Sequence, residues 1–418
     1  MLRDADGRSL VLRGFNAKQS GIFDVSFSDG RAPREDVPTF DAADAALIRG
    51  HGFNVIRLPI NWSAVEPQPG QYQADYLDKV AAFVDICRAA SIYVLLDFHE
   101  DGYSKELCED GAPLWAIVPL PAQLPPGGPP PSWDCHTSAA AQAAHASFFA
   151  DAKGLQEMFA AMARFVATRF AEDRTIIGYE LFNEPITSDD LAVAFSVKVA
   201  RAIRQVDAKH LIVWEPSAIR NITDAATLGT QPFSVPGTVY AVHIYTAYTG
   251  DWHTRLAASI HAARQEADSW GTPLMITEHA GDPSSDGSTW DDIALDAFDD
   301  VRASSMSWIW NPGTVTRNAD GSFAFVFGGQ ILQHLSRPYA PAVGGDVIST
   351  VWDGARLTVA FRGRGDVPPR HDVFWNRERP APRITCDGKT ITPSSVNTLD
   401  GLYTVICGGN GAHTLIFE

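Results

Sequence analysis

Several features that would assign a class at once are missing from this 418-residue chain. No window holds the roughly 18 consecutive apolar residues that a membrane-spanning helix needs. The opening Met1-Leu2-Arg3-Asp4-Ala5-Asp6-Gly7-Arg8 has no signal-peptide core. No Gly-x-Gly-x-x-Gly or Walker loop follows an apolar run, which argues against a dinucleotide or ATP fold. There is no His-Glu-x-x-His and no paired-cysteine spacing; His99, Glu100 and Asp101 are consecutive, so their side chains diverge, and neither a metal nor another cofactor is expected. Positive charge is scarce, with 33 Lys and Arg against 50 Asp and Glu, a net charge of −17 and no basic stripe. Nucleic acid and anionic membrane faces both demand dense positive charge, so neither is an expected partner, whereas neutral substrates remain open.

Cysteine is also sparse, at five. Cys108 and Cys135 bracket a Pro/Gly-rich stretch, Cys386 and Cys407 bracket a hairpin region, and Cys87 lies in an apolar helical pattern. Each bracketing pair could close a loop with a disulfide, which points to a secreted or extracytoplasmic protein whose chain is a mature or truncated form. Five reduced thiols in a cytoplasmic enzyme is the alternative.

What the chain has is alternation. Short β-type runs cover residues 10–16, 54–60, 92–98, 176–182, 211–215, 239–245, 274–278 and 305–310, with helical patterns at 41–50, 74–90, 140–171, 190–206, 254–268 and 291–300. Apolar strands alternating with helices imply a parallel sheet covered by helices, and eight of them predict an α/β fold closed as a (β/α)8 barrel. After residue 340 helical periodicity stops and short runs separated by Gly, Pro, Asn and Asp predict a small antiparallel β-sandwich. The expected domains are a barrel over residues 1–338 and a sandwich over 339–418. The excursion from Asp101 to about residue 138 is rich in proline and includes Leu107, Leu114, Trp115, Ile117, Val118 and Leu120. Loops of that length usually form walls or lids of a cleft; these residues would offer an apolar groove beside the site or pack the loop onto the barrel.

Glu184, after the fourth run, and Glu278, closing the seventh, put carboxylates at two strand ends, where barrel enzymes build their sites. A pair of carboxyls is what glycosidic bond cleavage needs, one as proton donor and one as nucleophile. Glu215, at the end of the fifth run, is a third strand-end carboxylate and is read as a structural or substrate-contacting group. Trp310 at the eighth strand end is expected to stack on a sugar ring, with Trp308 in the core.

Leu12-Arg13-Gly14-Phe15-Asn16, Arg57-Leu58-Pro59, Asp97-Phe98-His99, Asn183-Glu184-Pro185, His243-Ile244-Tyr245 and Glu278 resemble, in that order, the retaining glycoside hydrolases of family 5. Asp97-Phe98-His99-Glu100-Asp101, Gly111-Ala112-Pro113-Leu114-Trp115-Ala116 and the segment from Arg337 to Gly345 look most like its endoglycoceramidase branch. The resemblance implies endo-acting hydrolysis of the β-glycosidic bond between a glycan and ceramide, with transient contact with a membrane or micelle surface and no obligate protein partner. It implies Glu184 as acid/base, Glu278 as nucleophile and Asn183 on the sugar 2-hydroxyl. Arg57 is placed to keep the nucleophile charged, Tyr245 to donate to Glu278, and His243 to meet the substrate or the acid/base, with His99 in support. Glu100 stands where the branch has Gln and is expected to alter sugar selectivity. A β-glucosidase, glucosylceramidase or steryl glucosidase, a polysaccharide endoglucanase, and a barrel that binds carbohydrate without cleaving it are the alternatives.

Overall fold

The computed structural model describes the chain except residues 131–132, 227, 229–232, 246–251, 281–286, 311–331 and 333–334. Eight parallel strands form a closed barrel: β1 (Arg13–Asn16), β2 (Val55–Ile60), β3 (Tyr93–Phe98), β4 (Ile176–Glu180), β5 (Leu211–Trp214), β6 (Thr238–Ile244), β7 (Leu274–His279) and β8 (Ser304–Ser307), with β8 beside β1. The expected (β/α)8 architecture is therefore borne out. Two antiparallel sheets follow it. The chain divides into two compact units, one of residues 16–42 and 56–242, the other of residues 1–15, 43–55 and 243–418.

In the first unit, β3 to β6 pair in parallel, with a register shift between Val94 and Leu95 of β3, after which Asp97 lies opposite Glu180 and Glu180 opposite Val213. The strands are buried on both faces, as covered parallel strands require. The helical pattern at 140–171 breaks into two helices. Ser138 caps the first helix, Ala139–Phe149, and left-handed residues Asp151, Lys153 and Gly154 separate it from the second, Leu155–Phe170. Trp62, Phe98, Phe148, Phe149, Phe159, Phe182 and Phe195 interlock edge to face in this core.

The long excursion is a packed wall. Cys108 bonds to Cys135. Gly102, at φ 63°, runs against that bridge, where a Cβ would meet the Cys108 Cβ at 2.3 Å. The buried Arg34 latches the wall by donating to the carbonyls of Lys105, Pro126 and Gly128. Leu107 and Ile117 are buried and Trp115 packs on Trp62, so these members of the apolar set hold the wall in place. Leu114 and Leu120 face solvent.

In the second unit, Gly14 of β1 must be glycine, because a Cβ there would lie 1.7 Å from the carbonyl oxygen of Val55. The run from Leu10 to Asn16 is divided: Ser9–Leu10 leaves the barrel to pair with Leu2–Arg3 and with Tyr339–Val343. Residues expected in the barrel thus supply two strands of the six-stranded sandwich sheet. The sandwich core joins Val359, Phe361, Val373, Trp375, Val405, Leu415 and Phe417, and Cys386–Cys407 bridges it. Arg337-Pro338-Tyr339 welds sandwich to barrel helices and strands. Arg337 pairs with Asp296 and Asp299, Arg13 shares Asp299 and lies over the Tyr339 ring, and the Tyr339 hydroxyl donates to the Gly52 carbonyl.

Candidate active site

Alternation along a strand decides which side chains can meet at the barrel axis. On β3, Phe98 enters the aromatic core while Asp97 and His99 take the other face. Arg57 of β2 is fully buried among polar partners. Its Nε donates to Glu180 at 2.5 Å, one Nη to Asn16 at 2.9 Å and the other to Asn183 at 2.9 Å, with Asp97 at 3.1 Å and Glu215 at 4.0 Å. A buried guanidinium needs that much opposite charge and acceptor capacity to offset its desolvation. Asn16, Arg57, Asp97, Glu180, Asn183 and Glu215 thus form one network that fixes the base of the site.

Asn183 is held from both ends, its N–H donating to the Phe98 carbonyl and its side-chain amide to the Glu100 carbonyl. Glu184 follows with φ 43°. Few residues other than glycine adopt that conformation, which stores strain where the environment holds it in place. The Glu184 N–H points at Glu215 Oε1, 3.4 Å away, and the Asn221 amide donates to Glu184 Oε1 at 2.9 Å. Desolvation and then the nearby Asp101 carboxylate push the Glu184 carboxyl up to about 7, against the opposing pull of His99, His136 and Arg57.

His99 lies between carboxylates, with Nδ1 2.6 Å from Asp97 and Nε2 3.4 Å from Asp101. Burial disfavours its charge, but Asp97, Asp110 and Asp101 outweigh this and raise its pKa well above the usual histidine value. His99, Asp101 and Asp110 come close enough to enclose a cation. A protonated imidazole offers no lone pair, so this cluster suits an internal ion pair better than a metal. Cys108, Cys135 and His136 also converge, but both sulfurs are spent in the disulfide.

Glu100 corrects an expectation. Its side chain turns inward, accepts the Tyr103 N–H at 2.7 Å and lines a small internal cavity with Trp62, Tyr103, Phe148 and Phe159. Burial, then Asp101, pushes its pKa well above the carboxylate range. Its backbone carbonyl accepts the Asn183 side-chain amide.

In the other unit, Glu278 and His279 at the end of β7 face opposite ways. His279 stacks on Trp290, with Nε2 3.2 Å from the Ser307 hydroxyl, and burial pushes its pKa down to about 3. Glu278 Oε2 accepts the Tyr245 hydroxyl at 2.6 Å and lies 3.6 Å from His243 Nδ1. Of the two tryptophans after β8, Trp310, expected to stack on a sugar, is the more buried. Trp310 is 4% exposed, packs on Phe15 and donates its indole N–H to Asp44, so it is a core residue. Trp308 is half-buried.

The family model described as Cellulase (glycosyl hydrolase family 5) matches residues 14–314. The chain belongs to glycoside hydrolase family 5. Among its relatives are an endoglycoceramidase of Cyanea nozakii, 27% identical over 78% of this chain and 72% of that protein, and endoglycoceramidase I of Rhodococcus hoagii (strain 103S), 25% identical over 99% of this chain and 86% of that protein. The solved structure of endo-glycoceramidase II from Rhodococcus sp. superimposes with a TM-score of 0.82 at 26% identity, over 100% of this chain and 99% of that one.

Set against this family 5 frame, Asn221 is a site residue that sequence reasoning missed. It lies six positions beyond Glu215 in a turn without a signature, and only the fold brings it to Glu184. Glu180 was missed as well, although a carboxylate closing an otherwise apolar strand is a signal that could have found it.

Proposed function

We propose that this family 5 chain is a retaining, endo-acting glycoside hydrolase that cleaves the β-glycosidic bond joining a glycan to ceramide, with Glu184 as acid/base and Glu278 as nucleophile. The observation that carries the reading is the unequal setting of these two strand-end glutamates. Glu184, with a pKa of about 7, is half protonated near neutrality, and Glu278 is hydrogen-bonded by a phenol. Environment assigns such roles to chemically identical carboxyls.

In the first step a Glu278 oxygen attacks the anomeric carbon. The bond to the glycosidic oxygen breaks, and Glu184 gives that oxygen its proton, releasing ceramide with a free hydroxyl. In the second step Glu184, now ionised, takes a proton from water as the water oxygen attacks the same carbon and Glu278 departs. Two inversions retain the configuration. Asn183, held by Arg57 and the Glu100 carbonyl, is assigned to the sugar 2-hydroxyl. The Arg57 network keeps Asn183 and Glu184 in register.

Support for a ceramide glycoside comes from the full-length likeness to endo-glycoceramidase II, one of whose solved structures is a lactosyl–enzyme intermediate at 25% identity. Catalysis is proposed to lie within residues 1–338, and the two disulfides favour an oxidising, extracytoplasmic setting. The test is mass spectrometry of the products from a panel holding a ganglioside, a neutral 6-linked galactosyl glycosphingolipid, glucosylceramide, a steryl glucoside and cellohexaose. Intact oligosaccharide with free ceramide is expected. Glucose alone, or fragmentation of cellohexaose alone, would reassign the chain to an exo-glucosidase or an endoglucanase.

A further inference from the structure

Glu100 takes no part in the two steps above, yet both of its ends bear on the site. Its backbone carbonyl accepts the Asn183 side-chain amide at 3.0 Å. Its carboxyl turns into the protein, where Oε2 accepts the Tyr103 N–H at 2.7 Å and lies 3.7 Å from Nε2 of His145. His145 is buried on the helix Ala139–Phe149, and neither of its ring nitrogens has a hydrogen-bond partner among the described residues. Burial raises the pKa of Glu100 and lowers that of His145 to about 3, so the two meet as a neutral acid and a neutral imidazole. A neutral carboxyl has one proton to give and still accepts, and the imidazole nitrogen is the acceptor that faces it.

The turn that follows is strained. Gly102 and Tyr103 take φ of 63° and 74°, and a bulky side chain rarely adopts the left-handed conformation seen at Tyr103. Gly111 closes over the turn, where a Cβ would lie 2.6 Å from the Tyr103 carbonyl oxygen and 2.7 Å from the Glu100 Cβ. The peptide whose carbonyl holds Asn183 is the first of this turn.

We propose that Glu100 is a positioning residue for recognition of the sugar 2-hydroxyl: its carboxyl, set between the Tyr103 N–H and His145, pins the turn so that its carbonyl keeps the Asn183 amide in place. The proposal rests on the reading of Asn183 as the residue on that hydroxyl. Without an acceptor for the Tyr103 N–H the strained turn relaxes and the Glu100–Asp101 peptide rotates. Asn183 then keeps Arg57 on its oxygen but loses the carbonyl on its nitrogen.

The experiment measures kcat and KM on an aryl β-lactoside and on the analogue lacking the 2-hydroxyl of its glucose unit, each corrected for spontaneous hydrolysis. Glu100→Met fills the space but brings no oxygen acceptor. It is expected to lower kcat on the parent lactoside about tenfold with KM nearly unchanged, and to leave the 2-deoxy analogue within about twofold of wild type, as one hydrogen bond lost in the transition state requires. Glu100→Gln keeps an oxygen for Tyr103 and an N–H for His145, and should hold wild-type values within about twofold on both substrates. His145→Leu should show the same selective loss at about threefold, and it carries the test if Glu100→Met does not fold. Equal losses on the two substrates would overturn the proposal and make Glu100 a structural residue only. A glutamine variant as impaired as the methionine one would overturn it too. A wild-type enzyme indifferent to the 2-hydroxyl would remove the reading of Asn183, and the proposal with it.

Discussion

Glu184 and Glu278 are the same side chain at the ends of two barrel strands, yet their surroundings ask different things of them. Glu184 sits on a strained backbone, takes one amide donor from Asn221 and feels the repulsion of Asp101. Glu278 takes a short hydrogen bond from the Tyr245 phenol and faces an imidazole. The first setting favours a carboxyl that exchanges its proton near pH 7. The second gives the proposed nucleophile a phenol donor that holds its carboxyl in one orientation. The neighbours, more than the glutamates, divide the labour.

Removing the attacking oxygen breaks the comparison outright. Glu278→Gln is expected to lower kcat by about 10⁴-fold or more on every substrate, since no covalent intermediate can form; mass spectrometry with a 2-deoxy-2-fluoro glycoside should then show labelled wild type and unlabelled variant. Labelling of the variant would move the nucleophile elsewhere. Glu184→Ala should cost about 10²- to 10⁴-fold on glycolipids, which need a proton on the leaving oxygen. It should cost far less in the first step on aryl glycosides with acidic phenols, which need none. Azide should then restore turnover and yield the glycosyl azide of retained configuration; an inverted product would end the assignment of Glu184 as acid/base.

The sequence carried most of the frame, because a barrel strand is short, apolar and bounded by turn residues, and because the strand-end motifs are contiguous. What it could not carry were contacts between segments distant in the chain. Asn221 reaches Glu184 across 37 positions, and Asp44 takes the Trp310 indole across 266. The second contact accounts for the burial of Trp310: a hydrogen bond to the helix Ala42–Gly50 and packing on Phe15 draw its indole into the core. Glu100 misled for a similar reason. Adjacent to two functional residues in sequence, it is turned inward by the N–H of Tyr103, three positions on. The N-terminal strands were missed because two-residue pairings such as Leu2–Arg3 have no periodicity to read.

A smaller change tests the Glu278 side of the comparison. Tyr245→Phe deletes the donor to Glu278, and kcat should fall about fivefold to thirtyfold, the range of one or two kcal/mol in the transition state. Because Tyr245 acts on the nucleophile, the alkaline limb of the kcat/KM profile should stay in place. A limb that moves would mean that the phenol also sets the acid/base.

The smallest expected effect falls on Glu184 alone. The carboxyl must be protonated to serve the first step, so kcat/KM on glycolipid should be high below the raised pKa and fall as pH rises through about 7. The Asn221 amide stabilises the ionised form, and its loss should favour the protonated one. Asn221→Ala is therefore expected to move the alkaline limb upward by about half to one pH unit, the equivalent of one hydrogen bond. Asp101→Asn removes the repelling charge and should move the limb downward, toward ordinary glutamate. Opposite displacements from these two variants would show that Glu184 is tuned by a balance of donor and repulsion; displacement in the same direction would leave desolvation as the one cause and return Asn221 to a structural role.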